Sequence, residues 1–106
     1  MAGRIKVAPP EQRTADNIVF ASKKECLRYQ ELKAAMKAGI IRDLRLQIPY
    51  QLIVNGIHIT NYVSDFCYID GNGKEIVEDV KGFRTEVYRL KKKLVEAIHG
   101  IRILET

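Results

Sequence analysis

Tryptophan is missing from this chain of 106 residues, and cysteine, methionine and proline are scarce, with two, two and three copies. The two cysteines have neither the number nor the spacing of a disulfide framework or a zinc site. Cys26 and Cys67 sit among apolar neighbours and read as reduced core residues. No run approaches the ~18 apolar residues of a membrane span. The opening "MAGRIKVAPP" is basic but has no apolar stretch, so it does not read as a signal peptide. Cys26 and Cys67 have no histidine nearby in sequence, and His58 and His99 read as incidental. Acidic residues are also in deficit. Asp and Glu number 13 against 18 Lys and Arg, a net charge of +5. That excess points to an acidic partner, of which nucleic acid is the usual one. The expected location is the cytoplasm. Residues 1–13 read as a flexible tail and residues 14–106 as a single domain.

What is present is an ordinary globular balance, 46% hydrophobic and 29% charged residues. Residues 14–20 suggest a short strand. "SKKE" is a capping box, with Ser22 at the N-cap and Glu25 three residues on. The helix it opens runs to about residue 38 and stops at Gly39. Residues 40–54 alternate as a strand with a bend or edge at Pro49, and Asn55-Gly56 is a strong hairpin signal. Strands follow over 57–69 and 74–81, joined by the turn "DGNG". A second helix spans 84–99, closed by Gly100, and "IRILE" makes a final strand. The order α-β-β-β-α-β predicts an α+β domain with a mixed, mostly antiparallel sheet against two helices.

The informative stretch is "VSDFCYIDGNGKEIVEDVKG", residues 63–82. If Asp70 pairs with Lys74, Cys67 lies opposite Val77 and Asp65 opposite Asp79. A one-residue slip would pair Asp65 with Glu78 instead. Opposed like charges destabilise a sheet, and buried carboxylates need a partner. A divalent cation such as Mg²⁺ resolves that conflict, as it prefers hard oxygen ligands. Ion pairing to Lys81 or an arginine resolves it too. In the first helix Tyr29, Leu32 and Met36 form the apolar stripe, with Glu25 at its centre. Capping and a role in the site compete for that carboxylate. In the second helix Val87, Leu94 and Ile98 define the stripe, with Leu90 and Val95 on its flanks and Lys91 inside it. Lys91 either lays its stem over the core or reaches the site. Arg84, Arg89, Lys92 and Lys93 make this helix basic enough to track phosphates.

Over residues 16–105 the motifs "SKKE", "RYQELK", "YVSDF", "VEDVKG" and "LKKKL" resemble a family of small phage-encoded proteins. That family carries a domain of unknown function, belongs to the PD-(D/E)XK nuclease superfamily, and is often suggested to resolve Holliday junctions. The resemblance implies the superfamily core and a catalytic set of Glu25, Asp65, Asp79 and Lys81. Glu25, Asp65 and Asp79 would hold Mg²⁺, for which Mn²⁺ would substitute. Ser64 stands where the motif has proline, and the segment 55–62 is shorter than the family's. Tyr88 and Lys91 match a Tyr and Lys common in the following helix, with Arg84, Lys92 and Ser22 as further site or phosphate contacts. The implied activity is a metal-dependent endonuclease on branched DNA, a phage protein of DNA recombination in the host cytoplasm. Alternatives are a nuclease for nicked, flapped, duplex or single-stranded DNA, or a non-catalytic DNA-binding relative. Symmetric cutting of a junction implies a homodimer, with either outer strand as a candidate contact.

Overall fold

The computed structural model describes residues 7–106. Part of the expected tail, residues 1–6, lies outside the described residues. Pro10–Gln12 forms a turn of 3-10 helix. Arg13 then donates from Nε to the Ala8 carbonyl at 2.8 Å and from Nη1 to the Phe20 carbonyl at 2.6 Å.

Where a single strand was expected over 14–20, the chain folds back on itself. β1 (Thr14–Ala15) and β2 (Ile18–Val19) form a two-stranded hairpin. Asp16 and Asn17 take φ of 50° and 64°, the two left-handed positions of a tight primed turn. Their short polar side chains tolerate that conformation.

α1 (Lys23–Lys37) starts as its sequence predicts, with Ser22 Oγ accepting from the Glu25 amide at 3.1 Å. It ends in a Schellman motif. Gly39 takes φ of 78°, its N–H bonds the Met36 carbonyl, and the Ile40 N–H bonds that of Ala35.

β3 (Arg42–Val54) and β4 (Ile57–Ile69) are joined at Asn55-Gly56. β5 (Glu75–Asp79) follows a turn held by Asp70, whose Oδ1 accepts from the amides of Asn72 and Lys74. The Asp70 amide bonds the Lys74 carbonyl at 2.9 Å. This closure selects the register in which Cys67 faces Val77 and Phe66 faces Glu78, not the slipped one. α2 (Glu86–His99) begins two residues later than expected, because Thr85 accepts from the Tyr88 amide and caps it. β6 (Ile103–Glu105) then pairs parallel with β5.

The four-stranded sheet has the order β3-β4-β5-β6, antiparallel except for its last pair. It lies between the helices. On one face, α1 buries Cys26, Tyr29 and Leu32 with Phe20, Ile41, Phe66 and Tyr68. On the other, α2 buries Tyr88 and Val95 with Leu52, Tyr62, Cys67, Val77 and Ile103. The fold is thus α+β with a mixed, mostly antiparallel sheet and two helices. No described helix is long and apolar enough to cross a membrane.

One expectation for α2 fails. The helix turns Tyr88, Val95 and in part Leu94 to the sheet, and it leaves Val87 and Ile98 of the expected stripe exposed. The Tyr88 hydroxyl donates to Glu105 Oε2 at 2.7 Å, which fixes the rotation about the helix axis.

Candidate active site

β4 and β5 bring two carboxylates together where their pairing ends. Continuing the observed register past Phe66–Glu78 sets Asp65 opposite Asp79. Asp65 Oδ2 accepts from the Val80 amide at 2.8 Å. Burial, then the neighbouring Asp79 carboxylate, pushes the Asp65 carboxyl up to about 7. Two acids sharing a desolvated site resist ionising together.

Asp79 is almost fully buried. The Tyr62 hydroxyl donates to its Oδ2 at 2.5 Å, and burial, then this bond, drives the phenol far above its ordinary value. Its Oδ1 lies 3.0 Å from Lys81 Nζ, an ion pair by distance. No hydrogen bond within the described residues reaches this buried oxygen. Lys81 Nζ in turn sits 4.4 Å from the centroid of the Tyr88 ring, which steers the ammonium by cation–π attraction. The β5 backbone is fixed from the other side. The Thr106 amide donates to the Asp79 carbonyl and the Lys81 amide to that of Thr106.

Asp79 and Lys81 open into a groove of about 280 Å³ between β4 and α2, lined also by Tyr62, Val63, Val87, Tyr88 and Lys91. Of the helix residues expected near the site, Tyr88 and Lys91 are therefore there. Arg84 and Lys92 are drawn instead to Glu105, at 3.1 and 3.5 Å. Tyr88 first, then Arg84, holds the Glu105 carboxyl down to about 2. Ser22 is engaged in capping α1.

Glu25 occupies an intermediate place. It is buried, and its Oε1 accepts from Gln47 Nε2 at 3.3 Å instead of returning to the Ser22 amide. The reciprocal half of the capping box is absent, which leaves the carboxylate on the inner face of α1. Burial, then the Asp79 charge, raises its pKa, and Lys81 opposes the shift. It feels the site electrostatically, but it lines a separate cavity of about 300 Å³ with Arg13, Phe20 and Gln47.

Tyr62 and Gln47 are functional candidates that sequence reasoning missed. Strict alternation puts residues 62 and 65 on opposite faces. The β3–β4 ladder, however, pairs Leu46 with Phe66 and Ile48 with Ser64 and skips Gln47 and Asp65. Gln47 there takes φ of 53°, a left-handed strain of roughly 1–3 kcal/mol for a non-glycine residue. The break lets Ser64 Oγ approach Cys67 Sγ at 3.3 Å and turns Tyr62 to Asp79.

Among the described residues no three His, Cys, Asp or Glu side chains stand close enough to enclose an ion. The donor chemistry nevertheless fits a hard divalent cation. Asp65 and Asp79 offer two mutually repelling carboxylates, one oxygen of which accepts no hydrogen bond, and Glu25 stands further out. This predicts a pH dependence. The folded-state pKa of Asp65 lies above its free value of 3.8, so the folded chain binds that proton more tightly. Stability from this group is full below 3.8 and is lost as pH rises towards about 7. Glu105 acts oppositely but only below 4.5, so melts above about pH 5 are free of it and report the raised carboxyls, Asp65 and Glu25. Mg²⁺ should raise Tm more at about pH 8 than at about pH 5. An equal rise at both pH values would exclude the pair as the cation site.

The family model described as "Protein of unknown function (DUF1064)" matches residues 10–101. No curated protein and no solved structure matches the chain.

Proposed function

The chain belongs to the DUF1064 family, and we propose that it is a metal-dependent endodeoxyribonuclease of PD-(D/E)XK type, acting on branched DNA. One observation carries this reading. The Asp79–x–Lys81 strand end meets Asp65 in a desolvated site, where a buried Asp79 oxygen accepts no hydrogen bond and faces the Lys81 ammonium at the mouth of a groove.

Asp65 and Asp79 would hold the ion, with Glu25 joining directly or through water. A bound Mg²⁺ lowers the pKa of water and polarises a phosphate oxygen. The chain's own groups do the rest. Tyr62 locks the Asp79 rotamer through its hydroxyl. The Tyr88 ring holds Lys81 over the groove, where its ammonium stabilises charge developing on the scissile phosphate. Lys91 lines the same groove and is placed to meet the substrate backbone. Before an ion arrives, the Lys81 ammonium compensates part of the carboxylate charge.

The net charge of +5 favours a polyanionic substrate. The resemblance favours a four-way junction, cut by paired subunits in the cytoplasm. A second reading has its own support. The 3.0 Å Lys81–Asp79 contact also suits a non-catalytic DNA-binding relative in which the ion pair is structural.

The test is cleavage of labelled four-way junction, duplex and single-stranded DNA, with Mg²⁺, with Mn²⁺ and with EDTA. Symmetric, metal-dependent cuts confined to the junction are expected. Equal cutting of all substrates would keep the nuclease and remove the junction. Binding without cutting under any metal would replace the nuclease by the non-catalytic reading.

A further inference from the structure

α2 carries more apolar surface than its own chain covers. Tyr88 and Val95 are buried and Leu94 is half-covered, but Val87, Leu90 and Ile98 are 63%, 60% and 38% exposed. Ala97 is exposed as well, and so is Phe83 in the loop that leads into the helix. These residues are not scattered. Phe83, Val87, Leu90, Leu94 and Ala97 follow one another at steps of four, three, four and three. That alternation is the seam of two packed helices. It explains why the hydrophobic direction read from the sequence points away from this chain's own core.

The flanks of the seam are charged in a particular way. With Val87 and Leu94 at a and Leu90 and Ala97 at d, Glu86 and Lys93 fall at g and Lys91 at e. In a parallel pair, g of one helix faces the e that follows it on the other. Glu86 then meets Lys91. Neither residue has an ion-pair partner within the chain among the described residues. An antiparallel pair would instead bring Lys91 towards Lys91 and Lys93 towards Lys93.

We propose that α2 docks in parallel against α2 of a second copy of this chain about a twofold axis. Val87, Leu90, Leu94 and Ala97 close into one seam, and Glu86 pairs with Lys91 of the partner subunit on both rims. The contact is isologous, so one surface suffices for both copies. The seam of one short helix is less than the ~800 Å² per partner of a standard interface. Phe83 and Ile98 therefore extend it, and the dimer comes apart on dilution. A nucleic acid does not suit this stripe, because its a and d positions hold no cation or hydrogen-bond donor. The proposal goes beyond the nuclease reading and does not depend on it. Should both hold, Val87 and Lys91 serve the seam, and the groove beside each copy of α2 keeps Lys81 as its cation for the substrate.

Sedimentation equilibrium of the full chain, without DNA or metal, tests it. The wild type should pass from monomer to dimer mass with rising concentration. Leu90→Glu should remain monomeric throughout, with an unchanged circular dichroism spectrum because the side chain is exposed in the monomer. Glu86→Lys should weaken the dimer, and adding Lys91→Glu should restore it. Leu90→Cys should crosslink to itself on oxidation, as facing d positions do in a parallel pair. A wild type that stays monomeric at every concentration would overturn the proposal, including in favour of a different protein partner. So would a dimer indifferent to Leu90→Glu, or one that the double charge swap does not restore.

Discussion

Replacing Asp79 with Asn is expected to remove cleavage and, without metal, to make the protein more stable. The two effects come from one geometry. Asp79 holds the ion in the proposed nuclease. Its loss should cost more than the ~10–100-fold that removing an outer-shell partner costs. Stability should move the other way at about pH 8. Asn is isosteric, and its carbonyl still accepts from the Tyr62 hydroxyl. Its amide group then takes the place of Oδ1 beside the Lys81 ammonium, so that ion pair is lost, but so is the negative charge that helps to raise the Asp65 carboxyl. The Asp65 carboxyl falls back towards its ordinary range, and Tm rises by a few degrees. Mg²⁺ should no longer raise Tm. Melts of both proteins, with and without Mg²⁺, read all of this beside the cleavage rate. A drop in Tm for Asp79→Asn without metal would mean that Asp79 serves chiefly as the partner of Lys81, and "EDVK" would then be a structural ion-pair cluster.

The second large effect lies on the opposite face of β5. Glu78 is fully buried beneath α1. Its Oε1 accepts from Arg28 Nε at 2.5 Å and Thr106 Oγ1 at 2.9 Å, and its Oε2 from Tyr68 Oη at 2.7 Å and Arg28 Nη2 at 3.2 Å. Four donors on one carboxylate tie α1, β4 and the segment after β6 to β5. Arg28→Met strands the charge in the core and should cost about 3–5 kcal/mol. That is a large share of the ~5–15 kcal/mol that domains have in all. Glu78→Leu should cost less, since Arg28 is partly exposed and can turn to solvent. The double variant, Arg28→Met with Glu78→Leu, should recover much of the loss, because a packed apolar pair often replaces a buried ion pair without penalty. Chemical denaturation of the three variants gives the order. If Glu78→Leu proved the most damaging and the double variant no better, the pair would be a net source of stability.

Much of this arrangement was legible because it is encoded locally. Ser22, Gly39 and Asn55-Gly56 act within a few residues of themselves, so helix ends and hairpins could be placed. Asp70 fixed the register of β5 by the same local logic, and with it the meeting of Asp65 and Asp79. What escaped depends on distant partners. The rotation of α2 is set by Glu105, seventeen residues after Tyr88. Tyr62 joins the site only because Gln47, on the neighbouring strand, breaks the alternation of faces. The Asp16-Asn17 turn was local and still went unread, since neither residue is the glycine that usually marks such turns. Periodicity located an apolar stripe on α2 but not its direction, because an exposed stripe and a buried one have the same spacing in sequence.

The outer strands have a consequence for solubility. A sheet edge is a template for further strands, and in concentrated solution it seeds aggregation. β3 is a poor template. Asp43 and Gln47 leave the extended conformation with φ of 56° and 53°, and Pro49 offers no N–H. The opposite edge, β6, is only three residues long. Neither of these two edges presents an unbroken row of donors and acceptors. Strand addition through the backbone is thus hindered along β3 and β6, and it falls instead to residues 57–65 of β4, which pair with β3 on one side and lie beyond the reach of β5 on the other.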